Sequence, residues 1–430
     1  MERRRLLAGL AALGGAWALG PLALACGDSK SAQGKELRAS VPRAPIDDPA
    51  RQAAGQLAAA NAGFGWDLYR LLAKDDGGNL FFSPYSVASA MAMVYAGASG
   101  DTRTQLARAL RWDTLGSVDA GFNVIDQALQ ASGPTSGDAT PFTLTLANSA
   151  WTQTGHPFRQ EYLETLARYY GAGVRLADFQ AAAEDARQAV NRWVADQTAN
   201  RIKDLLPAGS VSSLTRLVLA NAIYFKGDWE TPFAKSDTGP GQFTVASGQS
   251  KQATMMRHTG TFAYAAAGDV EALELPYAGN NVSMVVLLPA AGALAALEAR
   301  LEAAIAAVLP ALQPRQVRLT MPRWEFSSSF DLKAALAQLG AVDLFDADRA
   351  DLSGMDGARD LYVSGVFHKA FVRVDEKGTE AAAATGVVVG TTAAPVSQVE
   401  FTLDRPFLFL IRERTTGAVL FAGRVLDPTA

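Results

Sequence analysis

The side chains that most often carry out chemistry are few in this chain. It has one cysteine, Cys26, and three histidines, His156, His258 and His368. No G-x-S-x-G, H-E-x-x-H, C-x-x-C or P-loop motif accompanies them. His156 and His258 have no acidic or histidine neighbours at metal-ligand spacing, which predicts surface or loop positions. His368 lies on the apolar face of a predicted strand, as a hydrogen-bonded core histidine does. Hydrolytic chemistry, a cofactor and a metal site are therefore not predicted.

Cys26 follows a segment with the features of an export signal. Three arginines at positions 3–5 precede an apolar stretch from Leu6 to Ala25, and the residues just before Cys26 are small, which resembles a lipobox. Residues 1–25 are thus predicted to be a lipoprotein signal peptide and Cys26 the lipidated residue, with the rest of the chain outside the cytoplasm, lipid-anchored in the cell envelope or secreted. The arginine run also resembles a twin-arginine signal. The alternative is an uncleaved membrane anchor.

A second unusual segment runs from Asp375 to Pro395. It carries no charge between Ala381 and Val399 and no proline before Pro395. Surface loops normally use proline and charge to avoid pairing with sheet edges. If the segment is extended, small residues and valines share the face of Thr379, and the other face carries one charge, from Glu380. Such a segment suits both a loop and a buried strand. The alternative is an ordinary edge strand or an alanine-rich linker.

The composition favours one large domain. A hydrophobic fraction of 49% in 430 residues can form a sizeable core. The formal net charge of −4, with charges of both signs dispersed, argues against a nucleic-acid partner. Residues 26–51 are polar and contain several prolines, which predicts a flexible tether. No second linker or internal repeat follows, so residues 52–430 are predicted to form a single domain.

Helix signals dominate the first part of this domain. Apolar residues between 57 and 72 share one helical face. Ser83 and Pro84 form an N-cap followed by a first-turn proline, and Thr102 with Gln105 forms a capping-box pattern.

Strand signals dominate the later part. Residues 217–225 are apolar on both faces except Asn221, as in the middle of a covered sheet. Residues 366–374 alternate, and 407–411 and 418–425 flank a Thr-Thr-Gly turn, which predicts a hairpin. Helices first and long strands later predict an α+β fold.

Several long motifs, correctly ordered over about residues 55–428, resemble the serpin family. They are Asn79-Leu80-Phe81-Phe82-Ser83-Pro84-Tyr85-Ser86 with Gly97, Asn221-Ala222-Ile223-Tyr224-Phe225-Lys226-Gly227 with Trp229, His368-Lys369-Ala370 leading to Glu376, and Asp404-Arg405-Pro406-Phe407 to Phe421-Ala422-Gly423-Arg424-Val425.

The resemblance implies a serpin fold with three β-sheets, about eight or nine helices and an exposed reactive-centre loop at about 376–400. It also implies a suicide inhibitor of serine proteases. The target cleaves the loop and is acylated, and the loop then enters the largest sheet, which is held in a metastable five-stranded state, as a new strand. Such a protein is not an enzyme and is expected to act as a monomer.

The same resemblance implies roles for particular residues. Ser83, Ser86, Asn221 and His368 form a polar cluster beneath the point where the sheet opens, here called the shutter. Trp229 and Arg323, the latter paired with Glu376, mark the entry point of the loop, the breach. The hinge comprises Glu376, Lys377, Gly378, Thr379, Glu380, Ala381, Ala382, Ala383 and Ala384.

Counting forward from the hinge by the family's usual spacing places the reactive bond between Thr392 and Ala393. Counting back from Pro406 moves it towards Pro395 and Val396. Because these residues are small or apolar, the expected target is an elastase-like or subtilisin-like protease. A non-inhibitory serpin acting as a binding or folding factor, and a hydrolase, are the alternatives.

Overall fold

Two long apolar strands lie at the centre of the main sheet. The structure, a computed structural model, describes residues 34–75, 77–131, 142–379 and 398–430. Met1–Ala32 lies outside this range, and Gln33–Ala430 forms one compact unit. Among the described residues no helix has both the length and the apolarity needed to cross a membrane.

The described strands, in chain order, are β1 Glu36–Leu37, β2 Leu80–Phe82, β3 Thr143–Gln153, β4 Val174–Ala177, β5 Leu217–Asp228, β6 Gly239–Thr244, β7 Ser250–Ala267, β8 Val270–Pro276, β9 Val282–Pro289, β10 Gln313–Pro322, β11 Trp324–Asp331, β12 Val363–Val374, β13 Gly378–Thr379, β14 Val399–Thr402, β15 Phe407–Glu413 and β16 Val419–Val425. The predicted strands at 217–225 and 366–374 and the predicted hairpin are β5, β12 and β15–β16.

The α-helices of the described residues are α1 Asp48–Asp75, α2 Pro84–Tyr95, α3 Gly100–Ala109, α4 Val118–Ala131, α5 Gln160–Thr165, α6 Phe179–Gln197, α7 Leu294–Ala299, α8 Leu301–Val308, α9 Lys333–Gln338 and α10 Ser353–Asp356. A π-helical turn at Leu166–Tyr170 and 3₁₀ turns at Lys235–Asp237 and Asp343–Phe345 complete the set. The helices outnumber the eight or nine expected because several are only one to two turns long.

The main sheet has the strand order β1-β4-β3-β5-β13-β12-β11. At its lower end, where β5 and β12 begin, these two strands pair directly and in parallel, from Leu217 with Val363 to Tyr224 with Phe371. At its upper end, where they finish, the two-residue strand β13 lies between them and pairs antiparallel with both. Of the six other strands, five have four residues or more, and the edge strand β1 has two.

The remaining strands form one nine-stranded hydrogen-bonded sheet. Its order is β14-β10-β7-β8-β9-β15-β16-β2, and β6 pairs with β7. The long strand β7 joins the β14, β10 and β6 group to the β8, β9, β15, β16 and β2 group, so the second and third expected sheets are continuous through it.

Alternate residues of β5 enter two different cores. The odd-numbered apolar residues between Leu217 and Phe225 pack in the large core, which also contains the apolar strands of the second sheet. The even-numbered residues Val218, Ala220 and Ala222 pack with Phe179 and other residues of α6 in a smaller core. Any strand added beside β5 would therefore present one face to each core.

The tether predicted for residues 26–51 is wrong over its described part, residues 34–51. Strand β1 pairs antiparallel with β4, and α1 begins at Asp48. The Arg43 guanidinium lies 2.7 Å from Asp126 Oδ2 and donates to Asn123 Oδ1. Because these contacts reach distant parts of the chain, the local composition of the segment did not reveal them.

Of the two helix-start predictions, one is confirmed and one is wrong. Ser83 caps α2, and its Oγ accepts a hydrogen bond from the backbone N–H of Ser86 at 3.0 Å. Helix α3 begins earlier than the pattern at Thr102 indicated, at Gly100, with Ser99 at the N-cap position. Thr102 is instead buried, and its Oγ1 accepts from the backbone N–H of Asp351.

Candidate functional site

The upper end of the main sheet holds the start of the predicted hinge between β5 and β12. Thr379 pairs with Gly227 of β5 and with Val374 of β12. The preceding hinge backbone is also anchored by two backbone hydrogen bonds. The backbone N–H of Trp229 donates to Lys377 O at 2.5 Å, and that of Phe233 donates to Glu376 O at 2.8 Å. The chain thus enters the sheet directly after a tight turn that follows β12.

Gly378 occupies a place in which no side chain fits. A Cβ atom at this position would lie 1.9 Å from the carbonyl oxygen of Gly227. Gly227 is equally confined, since its own Cβ would lie 2.9 Å from the Tyr277 ring. Two glycines therefore allow the hinge backbone to approach β5 closely.

Thr379 is buried beneath the sheet surface with a specific polar partner. It is 1% exposed, and its hydroxyl lies 2.7 Å from the Tyr277 hydroxyl. The Tyr277 ring stacks on Trp229 with 4.6 Å between ring centroids, and Trp229 Nε1 donates to Asp375 O at 3.1 Å. A side chain at this position must be small, because the position is almost fully buried against Tyr277.

Arg323 and Glu376 form the predicted ion pair beside the hinge. The Glu376 carboxylate is almost fully buried, whereas the Arg323 side chain is 43% exposed. Burial acts to raise the pKa of Glu376, but hydrogen bonds from Arg323, from its own backbone N–H and from Thr238, together with the charge of Arg323, hold this pKa below its usual value. Glu376 is therefore a charged anchor on the turn between β12 and β13.

The four shutter residues lie together where β5 and β12 still pair directly. Asn221 and His368 are cross-strand partners, and both are fully buried with Ser83 and Ser86. Ser83 Oγ donates to the Leu420 carbonyl of the second sheet at 2.6 Å. The cluster therefore links α2, both central strands and the opposite sheet.

The proton positions within the shutter follow from the hydrogen bonds of His368. Its Nε2 accepts from the Ser83 backbone N–H at 3.1 Å, so its Nδ1 carries the proton and donates to Asn221 Oδ1. Burial lowers the pKa of His368 from an ordinary 6.5 to about 3, against a smaller opposing effect of Asn221. The imidazole is thus neutral at physiological pH.

Two residues, one in the shutter and one beside Thr379, were not predicted from the sequence. Asn148 of β3 lies opposite Asn221. Its Oδ1 accepts hydrogen bonds from Asn221 Nδ2 at 2.6 Å and from the Ser86 hydroxyl at 2.8 Å. Strand β3 also contains Thr143, Thr145 and Ser149, so Asn148 does not stand out there as Asn221 does in the apolar strand β5. Tyr277, the partner of Thr379, follows β8 and carries no local signal.

Several predicted residues lie outside the described part of the chain. They are Cys26, Glu380, Ala381, Ala382, Ala383, Ala384, Thr392 and Ala393. His156 lies in a loop as expected, whereas His258 lies within β7, half-buried between the rings of Phe233 and Phe262.

The sequence matches the family profile described as Serpin (serine protease inhibitor) over residues 59–428. Human leukocyte elastase inhibitor is 39% identical over 386 residues, which cover 87% of this chain and 100% of that protein. Human serpin B3 is 41% identical over 389 residues, which cover 86% of this chain and 99% of the relative.

Solved structures show the same architecture. Uncleaved ovalbumin superposes with a TM-score of 0.77 at 34% identity and covers 86% of this chain and 100% of its own. Tengpin, a thermophilic serpin in its native state, gives 0.79 at 26% identity and covers 92% and 100%.

The α+β fold of this chain is thus shared with these solved structures. The chain belongs to the serpin family of serine protease inhibitors. The predicted family and fold class are confirmed, and the chain is a protease inhibitor rather than an enzyme.

Proposed function

We propose that this serpin traps an elastase-like or subtilisin-like serine protease by inserting its cleaved loop between β5 and β12. The observation that carries the proposal is the position of β13. Thr379 already pairs with both strands, and Gly378 pairs with β5, in the antiparallel direction that a further strand would take. Insertion would therefore extend an existing ladder downward from Thr379.

The register of β13 determines where each loop residue would lie. If this register continued along both strands, Thr385 would lie between Asn221 and His368. Val389 would lie at the level of Leu217, where β5 begins. The loop up to Val389 is thus long enough to reach the lower end of the sheet. The Thr385 hydroxyl would enter the shutter at the point where the bond between His368 and Asn221 has to break.

The two faces of the inserted segment would suit the two cores. Thr379 faces Tyr277 in the large core, so alternate residues after it, which are alanine, threonine and valine, would face the same core. Glu380 would face the other side, between Lys226 and Arg373 of the flanking strands. Opposite charges on neighbouring strands contribute about 0.2–1 kcal/mol per pair.

Insertion would be strongly favourable once cleavage frees the loop. Each inserted residue gains ladder hydrogen bonds of about 0.5–1.5 kcal/mol net, so roughly a dozen residues contribute on the order of 10 kcal/mol. This free energy is available to displace and distort a protease that is covalently attached to the cut end.

The proposed target follows from the loop sequence and from the relatives. Thr392 and Ala393 flank the proposed reactive bond, with Pro395 and Val396 as the alternative. A pocket that accepts small side chains is typical of elastase. The relative at 39% identity is called leukocyte elastase inhibitor, which supports the same class of target.

The function is tested by mixing the full chain with elastase and, separately, with subtilisin. An SDS-resistant complex should form, and mass spectrometry of the released C-terminal peptide should place its first residue at Ala393. Cleavage without a complex would indicate the non-inhibitory alternative.

The variant Thr379→Arg sharpens this test. An arginine cannot enter a site that is 1% exposed and packed against Tyr277, so we expect the protease to cleave the variant without being trapped. The control is Thr379→Ser, which keeps the hydroxyl. Equal inhibition stoichiometry in Thr379→Arg and the wild type would exclude insertion past this residue.

We also propose that the chain acts outside the cytoplasm as a monomer, held on a membrane by a lipid on Cys26. Labelling of growing cells with an alkyne-tagged fatty acid should mark the wild type and not Cys26→Ser. Equal labelling of both would contradict the lipid anchor.

A further inference from the structure

Three side chains from distant parts of the chain meet at the lower end of the main sheet. His156 lies three residues after β3, Asp356 ends α10, and Asp360 lies three residues before β12. His156 Nε2 is 2.8 Å from Asp356 Oδ2, and the ligand atoms of all three residues lie within 4.8 Å of one another. Because His156 and Asp356 are 200 residues apart, the sequence spacing gave no sign of this group.

The charges in this group are not balanced by protein side chains. The Asp356 side chain is 1% exposed, and its Oδ1 accepts from the Ala358 N–H at 2.8 Å. Among the described residues, the His156 imidazole is the one basic group within 4 Å of the Asp356 carboxylate, and no ion pair includes Asp360. Two carboxylates thus share one imidazole. A buried carboxylate is costly unless a cation compensates it.

We propose that His156, Asp356 and Asp360 form a binding site for a divalent transition-metal ion, zinc in particular. One imidazole nitrogen and two carboxylate oxygens are donors that zinc accepts, with water as a fourth ligand. In a tetrahedral site with zinc bonds of about 2 Å, two ligand atoms lie about 3.3 Å apart. Asp360 is exposed and on a loop, so a movement of roughly 1.5 Å towards the other two closes the site.

Two of the three ligands are already held in place. The Ala358 N–H orients the Asp356 carboxylate, and the Arg159 N–H donates to Met355 O at 2.8 Å, which joins the His156 loop to α10. The Phe158 ring packs edge-on against the His156 ring at 5.2 Å between centroids. Groups that orient ligands in this way normally strengthen metal binding.

The site spans the line along which the main sheet opens. Thr152 of β3 pairs with Leu217 of β5, and Leu217 pairs with Val363 of β12. His156 follows β3 on one side of this line, whereas Asp356 and Asp360 precede β12 on the other. A strand inserted between β5 and β12 adds about 4.8 Å to their separation. Bound zinc therefore favours the form without the inserted strand and slows insertion.

Binding is tested on metal-free full-length protein by isothermal titration with zinc chloride, without protease. We expect one zinc per chain, at least tenfold weaker binding in Asp360→Asn and His156→Asn, and unchanged binding in the control His258→Asn. Cobalt should give the visible absorption of a four-coordinate site in the wild type only. Equal zinc affinity in the wild type and Asp360→Asn, or no saturable binding, overturns the proposal.

The effect on insertion rests on the proposed inhibitory function and is measured separately. Zinc should slow formation of the elastase complex by the wild type at least severalfold and leave Asp360→Asn unaffected. Equal rates with and without zinc would refute the coupling while leaving inhibition intact. If no complex forms under either condition, the proposed function fails, and the titration still decides whether zinc binds.

Discussion

His368 shows how one buried side chain ties the stability of this sheet to pH. Its neutral imidazole bridges the Ser83 backbone and the Asn221 side chain across the two strands that would have to part. The unfolded chain takes up a proton on this residue near pH 6.5, but the folded chain does so only near pH 3. The unfolded state therefore binds more protons between these two values, so the free energy of unfolding falls as pH falls through this window.

The first prediction concerns this pH dependence. The contribution of His368 is complete above about pH 6.5 and declines below it, at up to about 1.4 kcal/mol per pH unit. Comparing urea midpoints at pH 7.5 and pH 4.5 should show a larger loss in the wild type than in His368→Gln, which has no group that titrates there. Parallel losses in the two proteins would show that His368 does not govern the effect.

The second prediction concerns Gly378. The Cβ of Gly378→Ala would lie 1.9 Å from the Gly227 carbonyl oxygen, so β13 must leave the sheet. Trp229, which donates to Asp375 O in the adjoining turn, should then show shifted fluorescence, and Thr379 should become accessible. The matched control is Gly55→Ala in α1, where the added methyl group meets no atom within 4 Å. Identical spectra for Gly378→Ala and the wild type would mean that β13 tolerates the side chain.

At the scale of elements, the sequence predicted those parts of the site that depend on local patterns. The cap at Ser83, the strands β5 and β12 and the hairpin of β15 and β16 each carry their own signal of spacing or turn chemistry. The resemblance to the serpin family then predicted that Asn221, His368 and the hinge belong to the same sheet. The periodicity of the sequence does not predict this.

The elements that were missed depend on contacts between distant residues. Strand β1 has only two residues, and its position depends on pairing with β4. The position of Arg43 likewise depends on its ion pair with α4. Tyr277 and Asp356 acquire their significance from partners about 100 and 200 residues away. A single sequence contains no local trace of such pairs.

The third prediction tests the packing of the N-terminal segment. Arg43→Ala removes a guanidinium that contacts Asp126, Asn123 and the Tyr169 carbonyl, and it leaves the largely buried Asp126 carboxylate without a cation, with Gln130 still donating a hydrogen bond to it. We expect a loss of about 1–3 kcal/mol, measured as a lower melting temperature. Arg51→Ala serves as the control, since its pair with Asp48 is 3.8 Å long and exposed. Melting temperatures that fall equally in both variants would contradict a specific role for the segment.

At the scale of the whole molecule, the proposed inhibition depends on a sheet that is more stable with one more strand. Among the described residues, β5 and β12 pair directly at the lower end, and only β13 lies between them at the upper end. On the proposed mechanism, the loop would extend the register of β13 as far as Leu217, with alternating faces towards the large core and the α6 side. The native chain would then be a state of higher free energy than the form with the loop inserted.

The most direct test is the melting temperature before and after a single cut in the loop between Val389 and Val396. Because insertion would contribute on the order of 10 kcal/mol, and each kcal/mol shifts the melting temperature by roughly 1 °C in a domain of this size, the cut protein should melt about 10 °C higher. An unchanged melting temperature, with no additional strand in the cut form, would contradict the account.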